Sequence, residues 1–346
     1  MKYILSINAG SSSLKYEIFE DAQKSLRSVM KGHIDNHGKP LTHIEKHLQK
    51  ALKSHVKNIV AVGHRVVHGG EKYFKSTVIT PRVIKDIESL CALAPLHNPV
   101  NLAAIRAAQS ILPDALHVAV FDTSFHQTMP EKAYLYGVPM KWYTDYGVRR
   151  YGFHGISHQY VYEQAEKKLG ARKTQRTITC HLGNGCSLSA ILKGKVIDTS
   201  MGFTPLEGIP MGTRSGDIDP AIIFHMARKK MKLDDIELTL TKKSGLTGVF
   251  ESTGDMREIW KQYQKKNPAA IRTMEWFAYR IAKYIGSYIA ALGGLDCIVF
   301  TGGTGEHAWY LRKKILKYIS ALIKPTVLVI PTHEEKKIAE ESMKFL

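Results

Sequence analysis

Three short glycine-rich stretches, each following an apolar run, are the parts of this chain best suited to chemistry: 8–13 (Asn-Ala-Gly-Ser-Ser-Ser), 183–187 (Gly-Asn-Gly-Cys-Ser) and 302–305 (Gly-Gly-Thr-Gly). Glycine lets a backbone approach phosphate oxygens closely, and turn amides and hydroxyls supply donors. One such loop is ordinary punctuation; three, in both halves of the chain, point to a phosphate group. None is a G-x4-G-K-[ST] loop, no G-x-G-x-x-G opens the first helix, and the protein-kinase signatures are absent. Four further segments carry charged or imidazole groups in apolar or tight surroundings: 63–71 (with Arg65), 95–99 (with His97), 121–126 (with Asp122) and 151–155 (with His154). Each such group needs a partner or a ligand to offset its desolvation, and taken singly each reads as well as a satisfied core residue. Together with 199–205 and 211–217 the balance shifts. Arg65 and Arg214, lone arginines in glycine-flanked loops, suit the neutralisation of a phosphoryl group in transfer.

The elements that must position these residues follow from periodicity. Residues 3–7 form an apolar strand, 8–13 a tight turn, and Leu14, Tyr16 and Ile18 alternate with Lys15 and Glu17 on a return strand. The layout recurs as strand 177–181, turn 183–187, return strand 188–192 and a further strand 196–199, so two domains of related architecture are expected. Between the two units, 20–58 is polar, basic and histidine-rich and reads as a solvated surface segment. Helical periodicity marks 101–112 and 269–292, the latter stopped by Gly293-Gly294, and 298–300 is a short buried strand. Alternating strands and helices imply an α/β fold with parallel or mixed sheets. A boundary is expected in 142–149, giving domains 1–147 (joined by the helix 335–346) and 148–334.

Bulk properties exclude several classes. At 346 residues the chain exceeds one ordinary core, and 44% hydrophobic with 23% charged residues is a globular composition. The first residues hold too short an apolar run for a signal peptide, and 269–294 carries Arg272, Glu275, Arg280 and Lys283, so no membrane span is expected. Four cysteines without a CxxC pair read as reduced thiols of a cytoplasmic protein. The net charge of +18 comes from scattered residues without a nucleic-acid module, so no nucleic-acid partner is expected.

Seven strings, 7–15, 62–71, 121–130, 150–158, 181–185, 198–220 and 331–335, closely resemble the acetate kinase family, which includes propionate kinases. The family lies in the acetate and sugar kinase/heat-shock ATPase/actin superfamily, and the resemblance covers nearly the whole chain. It implies a two-domain actin-like ATPase (ribonuclease H-like) fold with mixed sheets, flanking helices and a central cleft, and a homodimer. It implies reversible transfer of a phosphoryl group between ATP and acetate, dependent on Mg2+ with Mn2+ as an alternative. By matching positions, Asn8 and Glu334 are implied for the metal; Ser11, Ser13 and Lys15 for the phosphate-facing hairpin; and Arg65 for substrate carboxylate or phosphate. Arg214 and His154 are implied as transition-state stabilisers, Asp122 as the catalytic aspartate and His97 as a supporting residue. The nucleotide segments are His181, Leu182, Gly183, Asn184 and Gly185; Asp255, Met256 and Arg257; and Gly303, Thr304, Gly305, Glu306 and His307. Val67, Leu96, Phe153 and Pro205 are implied for the methyl pocket.

A carboxylic acid of pKa about 4 is already ionised at neutral pH and needs no general base. Asp122 is therefore expected to position an arginine or metal-bound water, while carboxylate oxygen attacks the γ-phosphorus in line. The chain departs from the family in being shortened within 20–61 and 307–331, and in having His307 where Asn and Gly302 where Ala are usual. A non-catalytic nucleotide-binding protein is the competing class.

Overall fold

The computed structural model describes residues 2–10, 13–22, 25–35, 41–52 and 56–346. Its contacts divide into two compact units, Met1–Gln127 with Phe153–Tyr160 and His333–Leu346, and Thr128–Gly152 with Val161–Thr332. The sequence placed one division at 147/148; here 128–152 packs with the second unit and 153–160 returns to the first.

The first unit is built on a six-stranded sheet of order β3-β2-β1-β4-β6-β5. Its strands are β1 (Tyr3–Ala9), β2 (Ser13–Ala22), β3 (Ser25–Asp35), β4 (Ile59–Val66), β5 (Thr77–Val78) and β6 (Leu116–Phe121). β1, β4 and β6 run parallel, while β2 and β3 extend the sheet as an antiparallel meander. Helices α1 (Leu41–Leu52) and α2 (Asn98–Ile111) supply Leu48, Leu52, Ala104 and Ala108 to the core over one face. The helix Glu334–Met343 supplies Ile338 and Ala339 to the other. Segment 20–58 is thus not a solvated surface stretch: β3 and α1 lie in it, and Ile34, Leu48 and Leu52 are buried. The spacing of Leu48 and Leu52 puts both on one helix face, a signal that the abundance of polar residues concealed. In β2 the alternation also fails, because Glu17 and Phe19 are buried along with Leu14, Tyr16 and Ile18.

The second unit repeats the arrangement as β11-β10-β7-β8-β9. Its strands are β7 (Arg176–Leu182), β8 (Cys186–Leu192), β9 (Lys195–Thr199), β10 (Cys297–Thr301) and β11 (Thr326–Val329). Again a parallel trio, β7, β10 and β11, carries an antiparallel meander on its first strand. The helix Pro268–Leu292 covers this sheet with a buried row that includes Met274, Phe277, Ile281 and Ile285. Asn267 caps it through Ala269 N and Ala270 N, Pro268 occupies the first turn, and Gly293 ends it at φ 67°. Among the described residues, no helix is long and apolar enough to cross a membrane.

The first unit also buries a set of imidazoles. His64 Nε2 and His117 Nδ1 lie 3.0 Å apart, and His117 Nε2 lies 3.0 Å from the Leu112 carbonyl, which only its N–H can satisfy. With both rings neutral, His64 donates to His117. Burial pulls His68 down to about 4 and His126 to about 3, and it also lowers His64 and His117. A histidine with a depressed folded pKa contributes its full stability above the unfolded value and loses it as pH falls. His68 and His126 each cost about 1.4 kcal/mol per pH unit between about 6.5 and their folded values, and His64 and His117 act in the same direction. The thermal midpoint is expected to be level near pH 7–8 and to drop steeply from about pH 6.5 toward 4. A midpoint unchanged at pH 5 would contradict neutral burial.

Candidate active site

Parallel strands place the chemical residues of the first unit at their carboxyl ends, where open α/β sheets bind ligands. Asn8 lies near the end of β1, Arg65 near the end of β4, and Asp122 directly after β6. Arg65 donates through Nε and Nη2 to Asp122 Oδ2 at 3.0 and 2.6 Å, and through Nη1 to Asn8 Oδ1 at 3.0 Å. Asn8 Nδ2 in turn donates to Glu334 Oε2 at 2.9 Å and Glu335 Oε1 at 3.1 Å. Asn8, Arg65, Asp122 and Glu334, implied from separate strings, thus share one hydrogen-bonded chain.

The pair Arg65–Asp122 is largely out of water, with 17% and 1% of the side chains exposed. Burial opposes charge on Arg65, but the Asp122 and Glu334 carboxylates outweigh it and hold its pKa above the ordinary range. Burial, helped by Glu334, pushes Asp122 up against the pull of Arg65. Three carboxylates therefore face one guanidinium, and every candidate ligand atom is oxygen. That donor set fits a hard divalent cation such as Mg2+.

The surrounding backbone is tied down. Gly155 N donates to the Asp122 carbonyl at 3.0 Å, and a Cβ at Gly155 would lie 2.1 Å from that oxygen, so only glycine fits. His154, just before it, holds φ at 59°, a strained conformation for a side chain with a Cβ. Two asparagines that sequence reasoning missed fix the loops after β1 and β4. Asn101 accepts from Val67 N at 3.0 Å and donates to Ala9 O at 2.8 Å, and Asn98 exchanges hydrogen bonds with the His68 backbone at 3.1 and 3.0 Å. The run His97-Asn98-Pro99-Val100-Asn101 held the signal, since asparagine at a helix start favours backbone partners. His97 stands at the start of α2. Of the implied methyl-pocket residues, Val67 and Phe153 are buried, Phe153 with its ring edge-on to His68, whereas Leu96 is 57% exposed. Ser13 and Lys15 lie on β2; Ser11 lies outside the described residues.

The second unit holds a cavity of ≈ 760 Å³ at the ends of β7 and β10. Gly183, Asn184, Asp255, Met256, Arg257, Gly303, Thr304 and His307 line it, whereas His181, Leu182, Gly185, Gly305 and Glu306 do not. Glu306 instead accepts from Gly302 N at 3.1 Å. The expected turn at 302–305 is in fact the start of a short helix, Gly302–His307. Gly302 makes the junction at φ 77°, where a Cβ would stand 2.7 Å from the Leu182 carbonyl. Asp255 caps the helix Met256–Gln264 by accepting from Arg257 N at 2.9 Å. Sequence reasoning missed the aromatic wall: Trp260 and Tyr310 stack at 4.0 Å between centroids and 5° between planes, and both line the cavity.

Arg214 belongs to the same unit. It donates to the Pro205 carbonyl at 3.2 Å and to Met211 Sδ at 3.5 Å, and among the described residues it forms no ion pair. By contrast, Arg150 of the same unit has Glu207 at 2.5 Å. Burial pulls the Arg214 pKa down, with no carboxylate to oppose it. A half-buried cation lacking an anion is suited to an anionic ligand.

Two parallel-ended sheets with this topology, one unit rich in carboxylates and arginine and the other with a roomy glycine-lined cavity, define a kinase of the actin-like ATPase fold. The chain belongs to the acetokinase family, whose model matches residues 24–324. It is 43% identical over 394 aligned positions to the acetate kinase of Agathobacter rectalis, covering 99% of both chains. Alignment over 394 positions needs gaps in a chain of 346, so this chain is shorter than that relative. Among solved structures, a propionate kinase from Francisella tularensis matches with TM-score 0.91 and 38% identity, covering 99% of this chain and 100% of that one. The acetate kinase of Porphyromonas gingivalis matches with TM-score 0.90 and 38% identity, covering 99% of each chain.

Proposed function

We propose that this kinase transfers the γ-phosphoryl group of ATP to acetate, reversibly, giving acetyl phosphate and ADP. The observation that carries the reading is the chain of contacts joining Asn8, Arg65, Asp122 and Glu334. Asn8 and Glu334 would hold Mg2+ through oxygen, with Mn2+ as a substitute. When bound, the ion supplies charge neutralisation and orientation for the phosphate oxygens. Arg65 would bind the acceptor carboxylate or the phosphoryl oxygens, and Arg214 and His154 would balance charge on the equatorial oxygens during in-line transfer. Asp122 would keep Arg65 extended and oriented. It need not take a proton, because the acceptor arrives ionised. The Gly183–Asn184 and Gly303–Thr304 backbones would receive phosphates, and the Asp255–Arg257 segment the ribose and base.

Propionate is the second reading, since the propionate kinase of F. tularensis matches as well as the acetate kinase structures do. One methylene in an apolar pocket discriminates by only about 1–3 kcal/mol. We also propose a homodimer, in keeping with exposed Phe224 and Leu233 on neighbouring helices. Residence in the cytoplasm suits both ATP as donor and four unpaired cysteines. The test is a panel of formate, acetate, propionate and butyrate with Mg-ATP, read as acyl hydroxamate after hydroxylamine trapping. Acetate is expected to give the highest kcat/KM, with the signal abolished by EDTA. A folded protein forming no acyl phosphate from any acid would overturn the reading.

A further inference from the structure

Sharing Glu335 with the Asn8 chain, β2 and the start of the helix Glu334–Met343 carry a second cluster, whose Glu17 and His333 the proposed reaction does not use. Glu17 on β2, His333 just before the helix Glu334–Met343, and Glu335 on that helix bring one ligand atom each within 4.8 Å of one another. Glu17 is 2% exposed, and its Oε1 is buried without a hydrogen bond of strict geometry, although the Lys31 ammonium lies 3.2 Å away and Ser28 also interacts with the carboxylate. Its Oε2 meets His333 Nε2 at 2.8 Å. The three residues border a cavity of ≈ 450 Å³ that also touches Lys15, Lys31 and His33.

We propose that Glu17, His333 and Glu335 form a second divalent-cation site, separate from the Asn8–Glu334 oxygens and suited to Zn2+. One imidazole and two carboxylates make a borderline donor set, which favours Zn2+ over the all-oxygen preference of Mg2+. Three protein ligands and a water complete four-coordination. Ligand atoms no more than 4.8 Å apart need only a modest side-chain adjustment to reach bonds of about 2.0–2.2 Å. Lys31 opposes the ion, but its side chain is 64% exposed and can swing into solvent. Lys15, facing the same cavity, moderates affinity in the same sense.

The site is coupled to the Asn8 chain through one atom. Glu335 Oε1 accepts from Asn8 Nδ2 at 3.1 Å. A cation that draws Glu335 toward Glu17 and His333 takes it from Asn8, and so inhibits the kinase even when Mg2+ is in excess. This coupling rests on the metal role proposed for Asn8 and Glu334; the site itself does not.

The experiment titrates Zn2+ into the metal-stripped full chain in excess Mg2+ by calorimetry, without nucleotide. Wild type is expected to bind one more Zn2+ per chain than His333→Gln. Glu17→Gln, checked for folding by circular dichroism, is expected to weaken that event at least about tenfold, and Glu334→Gln to leave it in place. Equal Zn2+ binding by wild type and both His333→Gln and Glu17→Gln overturns the site. Loss of the event in Glu334→Gln overturns its separateness. Activity assays then read the coupling: inhibition by Zn2+ in wild type and resistance in His333→Gln support it, whereas binding without inhibition removes the coupling and leaves the site standing.

Discussion

Arg65→Ala is expected to lower kcat with Mg-ATP and acetate on the order of 10³-fold and to destabilise the protein by about 3–5 kcal/mol. Both effects come from the same guanidinium. In the reaction, an arginine placed against a transferring phosphoryl group supplies charge that no neighbour replaces. In the resting fold, it is the cation facing Asp122, which is 1% exposed, with Glu334 and Glu335 close by. Removing it strands the buried Asp122 carboxylate, and breaking one side of a buried pair costs more than the pair itself contributed. Urea midpoints and steady-state kinetics read the two losses separately. The double variant Arg65→Ala/Asp122→Asn should regain part of the stability while activity stays low. Wild-type turnover in Arg65→Ala would end the role assigned to it.

Arg214→Ala is expected to lose turnover to a similar degree, on the order of 10³-fold, but with the opposite sign in stability. Among the described residues Arg214 has no carboxylate partner, only the Pro205 carbonyl and Met211 Sδ. Its burial is therefore a cost that the fold carries without a compensating ion pair. Alanine should leave stability unchanged or raise it by up to about 1 kcal/mol. Kinetics combined with a thermal scan checks this. A fall in midpoint beyond about 4 °C would mean that Arg214 is held for the fold and not for an anion.

Much of this contrast was legible in the chain, and the reasons differ by residue. Arg65, Asp122 and Arg214 stood out because charged groups within glycine-rich or apolar strings demand an explanation from burial alone, whereas Asn8 was reached through the family resemblance. The doubled strand–turn–strand layout was legible as well, since period-two patterning is local. What sequence could not supply was adjacency created by the fold. Asn98 and Asn101 became fasteners because α2 starts beside the ends of β1 and β4. Trp260 became a cavity wall only because Tyr310 lies flat against it. Glu17 read as solvent-facing from alternation, yet His333 and Lys31 cover it. Segment 20–58 misled through composition, which counts residues without regard to which helix face they occupy. In the third glycine stretch, the positive φ at Gly302 permits a turn or a helix entry equally, and Gly302–His307 took the latter.

Asn8 and Glu334 touch across 326 positions of sequence. On a ribosome, the strand that bears Asn8 emerges long before the helix that bears Glu334, so nascent chains at every intermediate length lack the completed constellation. The Asn8–Glu334 contact is therefore among the last to form. The early strands wait with Ala61 and Ile4 uncovered until the helix Glu334–Met343 arrives to seal them, which makes that interval the one in which a chaperone has most to do.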